Sequence, residues 1–199
     1  MGAYKSGVER LDLLDWKRRI FALYADVRAE PDPVAAWKHW RDVRSELYRT
    51  HPQSPRVGGD PVYYDYDPAL RFEGAVRTVE LKLLEIPGSA GSVTRFTRFA
   101  VARFDMHELE LYWLDAYGGG IFLPFGDLTN GQETYGAGRY LLDTVKGADL
   151  GGDTETLVLD FNFAFNPSCA WNSLWPCPLA PIANRLPIRI EAGERVPEN

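Results

Sequence analysis

The feature that most constrains the fold is a change in the spacing of apolar residues near position 62. Before it, apolar side chains recur every three or four residues, which is typical of amphipathic helices. After it, aromatic and β-branched residues alternate with polar ones, which is typical of half-buried strands. Because one pattern does not suit the other structure, we expect a β-rich α+β protein. Its antiparallel barrel or sandwich should be preceded by two N-terminal helices.

Two helix-start signals lie in the N-terminal part. Ser6 and Glu9 form a capping-box pattern, and Asp32 followed by Pro33 combines a cap with a preset first turn. The predicted helices span residues 7–28 and 33–49. Their inner faces would carry Leu13, Trp16, Ile20, Tyr24 and Val27 in the first helix, and Trp37, Trp40, Val43 or Arg44, and Leu47 in the second. Residues 1–60 are thus expected to pack as a helical segment on an antiparallel β domain of residues 61–199, forming one structural unit.

The alternating runs predict strands at residues 72–86, 92–104, 109–116, 121–128, 157–165 and 186–190. Asn130-Gly131 is a strong hairpin dipeptide, and the prolines between 167 and 181 predict an ordered loop. If residues 157–165 form a strand, Asp160 and Asn162 share one face, and the phenylalanines between them share the other.

Charge and composition exclude several classes of function. With a net charge of −6, the chain lacks the positive field that binds nucleic acid or anionic membranes. Residues 1–19 carry scattered charges and no apolar run, which excludes a signal peptide or membrane span there. These features favour a soluble, cytoplasmic protein.

The two cysteines, Cys169 and Cys177, are interpreted as reduced thiols, with a local disulfide as the alternative. They lack further ligands at recognised spacing, so neither a metal site nor a cofactor is expected. The run from Gly136 to Leu141 lacks the third glycine of a dinucleotide fingerprint. His107-Glu108 lacks the second histidine of a zinc protease motif, and no Gly-x-Ser-x-Gly elbow occurs.

Two stretches, residues 127–140 and 160–184, are dense in polar groups. The first is either a hairpin held in register by an Arg139 ion pair or part of a ligand site. The polar face of the second is either solvated or the wall of a pocket. Because Arg139 lies among glycines in a β context, we expect it to be buried and paired with Asp160 or Glu133.

Several strings in these stretches resemble the prokaryotic domain-of-unknown-function family numbered 1684. They are ETYGAGRYL at 133–141, LDFNFAFNPSCAW at 159–171, CPLAP at 177–181 and NRLP at 184–187, with weaker strings at 40–55 and 66–72. The resemblance covers residues 37–194 and implies no established activity. It implies that the family pattern includes Glu133, Tyr135, Gly136, Gly138, Arg139, Asp160, Asn162, Asn166, Cys169, Cys177, Asn184 and Arg185.

The resulting functional hypothesis is a binding or catalytic pocket for a small polar or anionic molecule, lined by the hairpin and the Asp/Asn strand. Glu133 and Asp160 are the catalytic candidates, and the binding candidates are Tyr135, Arg139, Asn162, Asn166 and Asn184. The alternative is a non-catalytic interaction module in which these groups form a structural network. In that case the N-terminal helices would dock onto a partner or a second copy.

Overall fold

The computed structural model describes residues 6–196. Residues 1–5 of the expected helical segment and residues 197–199 of the expected β domain lie outside the described residues. Both predicted helices are confirmed: α1 spans Gly7–Ala29 and α2 spans Pro33–Thr50. Ser6 and Glu9 form the capping box, each side chain accepting a hydrogen bond from the other residue's backbone N–H. Asp32 caps α2 by accepting from the Val34 N–H at 2.9 Å.

Six antiparallel strands follow the helices. They are β1 (Arg71–Pro87), β2 (Val93–Phe104), β3 (His107–Leu114), β4 (Ile121–Phe125), β5 (Arg139–Asp143) and β6 (Thr156–Asp160). Their order, β5-β4-β3-β2-β1-β6, is a meander whose last strand returns to the far edge beside β1. The sheet curls into a half-barrel, which confirms the predicted fold class. Just beyond β6, Phe165 pairs with Tyr140 of β5, so a single bridge links the two edges.

The predicted strand at 157–165 is wrong in its second half. The Asp160 side chain accepts the Asn162 N–H at 3.1 Å, and the chain turns into a short 3₁₀ helix, Phe161–Phe163. Such a local side-chain hydrogen bond competes with the sheet ladder. As a result Phe161, Asn162 and Phe163 are all buried, and the expected division into a polar and an aromatic face does not exist.

Two other strand predictions differ from the structure, and one strand was missed. The strand expected at 121–128 ends at Phe125, and residues 186–190 lie outside the six strands. Strand β5 was not predicted. All five of its residues are buried, so its sequence shows no alternation between an inner and an outer face.

The main core lies between the helices and one face of the sheet. Trp40 of α2 is fully buried there, and its indole N–H donates to the Tyr24 hydroxyl at 3.2 Å. Leu111 belongs to this core, whereas its neighbour Tyr112 belongs to a smaller cluster on the opposite face. The proline-rich segment reaches the sheet through a bridge between Gly88 and Pro178.

Candidate functional site

Arg139 of β5 is fully buried and its terminal nitrogens bind only protein groups in the described chain. Nη2 donates to Asp127 Oδ1 at 3.3 Å and to the Ile190 carbonyl at 2.9 Å. Nη1 donates to the carbonyls of Ala192 and Glu194. The guanidinium is thus a structural node joining the β4–β5 connection to the C-terminal segment.

The expected burial of Arg139 is confirmed, but the partners proposed for it, Asp160 and Glu133, are wrong. The partner is Asp127, which is itself held in place by a tight turn. Asp127 Oδ2 accepts from the Thr129 hydroxyl at 2.7 Å and from the Ile190 N–H at 2.8 Å. Because both sides of the pair are committed to protein groups, Arg139 is not an open anion clamp.

Glu133 lies elsewhere, in a partly exposed ion pair with Arg189. It also accepts from the Tyr64 hydroxyl at 2.7 Å. The hydrogen bond from Arg189, followed by that from Tyr64, lowers the pKa of Glu133. A carboxylate held ionised in this way suits an ion pair better than a general acid.

The candidate residues Asn166 and Asn184 also have structural partners. Asn184 is fully buried and donates to the carbonyls of Glu110 at 2.9 Å and Pro124 at 2.8 Å. Asn166 donates to the Arg195 carbonyl at 2.7 Å. These contacts attach the C-terminal loops to β3, β4 and the chain end, so they support the fold.

Sequence reasoning missed the buried pair formed by Arg44 and Glu194. Arg44 Nε lies 2.7 Å from Glu194 Oε1, and Arg44 Nη2 lies 3.1 Å from Glu194 Oε2. The pair ties α2 to the C-terminal segment. One signal was available in the sequence: Arg44 lies between Trp40 and Leu47 on the inner edge of α2. The apolar pattern did not decide whether Val43 or Arg44 occupies that inner position.

Asp160 and Asn162 do come together. Asp160 is 1% exposed, and its Oδ1 accepts from Asn162 Nδ2 at 2.8 Å. Its Oδ2 accepts from the Tyr66 hydroxyl at 3.2 Å and lies 3.7 Å from Arg71 Nε. Asn162 also exchanges two hydrogen bonds with the backbone of Asp67, both at 2.8 Å. Asn162 therefore positions the carboxylate rather than facing a ligand.

A cleft of about 330 Å³ opens beside Asp160. We name it the Asp160 cleft; it lies between the C-terminal end of α1, the N-terminal end of α2, and strands β1 and β6. Its polar lining includes Arg28, Arg71 and the backbone of Gly151 and Gly152, and its apolar lining includes Val27, Leu150, Val158 and Phe163. Arg71 faces Asp160 because the two residues are direct partners in the β1–β6 register.

The electrostatics of the Asp160 cleft favour a proton on its carboxyl group. Burial raises the pKa of Asp160, against the hydrogen bonds from Asn162 and Tyr66 and the charge of Arg71. The two arginine side chains at the rim remain 37% and 39% exposed. The cleft thus combines a buried carboxyl group with two solvent-accessible arginines, and Glu30 also lines it.

The seven predicted site residues consequently occupy separate places. Asp160 and Asn162 share the cleft region, whereas Glu133, Arg139, Asn166 and Asn184 serve the contacts described above. Tyr135 points to Cys169, its hydroxyl 3.6 Å from the sulfur. The sequence did not identify Tyr66 and Arg71 as candidates. Their neighbours in the structure, Asp160 and Asn162, lie about ninety residues further along the chain.

The fold and site together define a class of domain. It is a half-barrel behind two helices, with a polar cleft where β1 begins and β6 ends. The profile described as "Protein of unknown function (DUF1684)" matches residues 61–195, and the chain belongs to this family. It is also similar to an uncharacterized protein of Haloarcula marismortui whose solution structure was determined by NMR. The two are 28% identical, with a TM-score of 0.56, over 81% of this chain and 92% of the other.

No curated protein matches the chain. Within residues 6–196, none of the helices has both the length and the apolar character needed to cross a membrane. The same residues contain no cluster of three or more histidine, cysteine, aspartate or glutamate side chains arranged to hold a metal ion.

Proposed function

We propose that the protein binds a small anionic molecule in the Asp160 cleft. The observation that carries this proposal is the buried Asp160 carboxyl group facing a cavity that it shares with Arg28 and Arg71. The cavity volume falls at the lower end of the roughly 300–1,000 Å³ that is typical of small-molecule sites. Its mixture of apolar walls and a few convergent polar groups is also typical of such sites.

The arginines supply the attraction for an anion. Arg71 Nε lies 3.7 Å from Asp160 Oδ2, and the Arg71 side chain is 39% exposed, so it remains accessible to an anion. Arg28 donates to the Asp149 carbonyl at 2.6 Å through Nη1, which fixes its head group at the rim. Planar guanidinium groups suit carboxylate and phosphate oxygens, because they offer two parallel N–H donors.

Asp160 supplies the chemistry that could follow binding. Burial raises the pKa of Asp160, which makes its carboxylate a better proton acceptor than an exposed aspartate. Its orientation is fixed by Asn162 and Tyr66. In a catalytic form of the proposal, Asp160 is the general acid or base, and the arginines hold the substrate's anionic group beside it.

Thermal unfolding with added succinate or inorganic phosphate tests this proposal. Either anion should raise the melting temperature in a saturable way, since a ligand that binds only the folded state stabilises it. Arg71→Met should abolish the shift. Arg77→Met is the matched control, because Arg77 lies on the same strand, is exposed and pairs only loosely with Glu108 at 3.9 Å. An equal shift in both variants, or no saturable shift in the unchanged protein, would contradict the proposal.

Self-association through the N-terminal helices is the second candidate. Trp37 and Trp40 are buried within the chain, so the tryptophans do not form the docking surface. The outer side of α1 instead exposes Val8, Leu11, Leu14 and Phe21. If these side chains meet a second copy, light scattering should give a dimer mass that Leu11→Glu reduces to that of a monomer. A monomer without the substitution would remove this candidate.

We propose the cytoplasm as the location. The support is the pair of unbridged cysteines, Cys169 and Cys177, because thiols persist where glutathione and thioredoxin keep them reduced.

A further inference from the structure

The proline-rich segment brings Cys169 and Cys177 together, although they are eight positions apart in the sequence. The Cys169 N–H donates to Cys177 Sγ at 3.3 Å. Cys169 lies in a 3₁₀ turn, Ser168–Ala170, and Cys177 directly precedes Pro178, which pairs with Gly88 at the end of β1. The Cys177 side of the pair is thus anchored to the sheet.

Two hydroxyl groups complete the surroundings of the thiols. The Tyr135 hydroxyl donates to Cys169 Sγ at 3.6 Å. The Ser89 oxygen accepts from the Cys177 N–H at 3.2 Å, and its hydroxyl hydrogen is donated to the Trp175 carbonyl at 2.7 Å. Tyr135 therefore contacts one sulfur, and Ser89 holds the backbone of the other cysteine.

The pair lies one layer beneath the surface. Cys169 and Cys177 are 6% and 8% exposed, whereas Ser89 is exposed and Tyr135 is half-buried. The site is separate from the Asp160 cleft, because the two share no lining residue.

The arrangement distinguishes the two thiols. The contact with Cys177 lowers the pKa of Cys169 to about 6, with the Tyr135 hydroxyl acting in the same direction against burial. The same contact and burial raise the pKa of Cys177. Since the thiolate is the nucleophilic form, Cys169 is the attacking member and Cys177 remains a protonated neighbour.

We propose that Cys169 and Cys177 form a dithiol site that reacts with small hydroperoxides and closes reversibly to an intramolecular disulfide. In the first step the Cys169 thiolate attacks the peroxide oxygen, so that an S–O bond forms and the O–O bond breaks. The departing alkoxide or hydroxide takes up a proton and leaves as an alcohol or water. In the second step Cys177 sulfur attacks the Cys169 sulfenic acid, forming the S–S bond. The sulfenic oxygen leaves as water with the Cys177 proton.

The two steps balance. The two thiols lose two electrons and two protons in all, and the hydroperoxide is reduced to an alcohol, or to water if it is hydrogen peroxide. An external dithiol restores the reduced pair by thiol–disulfide exchange. The same eight-residue spacing that brings the sulfurs together makes the second step intramolecular, and so favours disulfide formation over further oxidation of Cys169.

Intact mass spectrometry of the full chain tests this inference with hydrogen peroxide as the probe. One equivalent of peroxide should remove two hydrogen atoms from the mass, and peptide mapping should place the new crosslink between Cys169 and Cys177. Dithiothreitol should reverse the change. Thiols that stay reduced, or a crosslink between chains, would overturn the proposal.

Two near-isosteric variants assign the roles. Cys177→Ser should accumulate a sulfenic acid at Cys169 that dimedone traps, whereas Cys169→Ser should react at least ~10-fold more slowly, because a protonated thiol is a poor nucleophile. Reaction of the unchanged protein should reach half its maximal rate near pH 6, following the Cys169 thiolate. Equal reactivity of the two variants, or a midpoint at the ordinary thiol pKa of about 8.5, would contradict the role of Cys169 as the attacking thiol.

Discussion

At the scale of single residues, Arg139 and Asp160 are both almost inaccessible to solvent, yet their environments differ. Arg139 spends both terminal nitrogens on Asp127 and three backbone carbonyls. Asp160 has fixed hydrogen-bond donors on one side and a cavity on the other. A buried charge whose partners are all protein groups supports the fold, whereas one that borders a cavity can also meet a ligand.

Removing Arg139 should therefore damage stability. Arg139→Ala leaves Asp127 buried without its cation, and loss of one member of such a pair typically costs about 3 to 5 kcal/mol. Chemical denaturation measures this loss in the free energy of unfolding. Arg189→Ala is the control, because Arg189 forms a partly exposed pair with Glu133 and should cost far less. Similar losses for the two variants would show that Arg139 is not a structural node.

Asp160 should make stability depend on pH in a defined direction. Its pKa is raised in the folded protein, so the folded state binds the proton more tightly than the unfolded state does. The resulting stabilisation is complete below the unfolded pKa and is lost as pH rises through the folded pKa. We expect the free energy of unfolding, relative to Asp160→Asn, to fall as pH increases from about 4. Denaturation curves across this range test it, and a difference that rises with pH would contradict the raised pKa.

At the scale of elements, the sequence predicts those parts whose hydrophobic period is regular. The helices and strands β1 to β3 were predicted from the spacing of their apolar and polar residues. Strand β5 is buried on both faces and so carries no alternation. Strand β6 ends at Asp160, where a local side-chain hydrogen bond stops the ladder.

The candidate site was harder to predict because its contacts are long-range. Asp160 was identified from its polar surroundings, but Tyr66 and Arg71 reach it through the β1–β6 pairing. Arg139 pairs with Asp127 because the C-terminal segment, which has no periodic pattern, supplies the carbonyls that surround the guanidinium. The glycine and strand context predicted the burial of Arg139 correctly, whereas the identity of its partner depended on the path of irregular loops.

The attachment of α2 to the C-terminal segment should depend on the Arg44–Glu194 pair. Arg44→Met should lower the free energy of unfolding by about 3 to 5 kcal/mol, because Glu194 is left as an uncompensated buried charge. Adding Glu194→Gln should recover part of the loss, since a neutral amide no longer needs a cation. Denaturant midpoints of the three proteins measure both effects.

Arg49→Met is the control on the same helix, because Arg49 pairs with Glu46 at the surface and its removal should change little. If Arg44→Met is no more harmful than Arg49→Met, the buried pair does not hold α2 in place. If the double variant is less stable than Arg44→Met alone, the loss does not come from an unpaired Glu194 charge.

At the scale of the whole molecule, α1 completes the core that the half-barrel leaves open. Ile20, Leu23, Tyr24 and Val27 are buried in the same cluster as the sheet residues. Full burial of one such side chain is worth about 1.5 to 3 kcal/mol. An isolated helix of this length is marginal in water, so α1 and the sheet stabilise each other.

Deleting residues 1–28 should consequently lower the melting temperature strongly or prevent folding. Limited proteolysis followed by thermal unfolding measures this, with Arg18→Ala as the control because Arg18 is exposed on the same helix. A truncated chain that keeps its melting temperature would show that α1 is dispensable.

The same deletion would remove Val27 and Arg28 from the lining of the Asp160 cleft. The cleft is therefore a property of the assembled molecule, built where the end of α1, the start of α2 and the open edge of the half-barrel meet. Its proposed role in binding depends on this meeting of elements rather than on a continuous sequence motif.

An NMR titration of ¹⁵N-labelled protein with succinate tests the central claim most directly. Gly151 and Gly152 line the cleft, and their amides should shift in a saturable way together with that of Arg71. In Arg71→Met these shifts should vanish, while the amides of residues 127–139 stay unchanged in both proteins. Shifts centred on residues 127–139, or the same glycine shifts in Arg71→Met, would contradict a ligand site at Asp160.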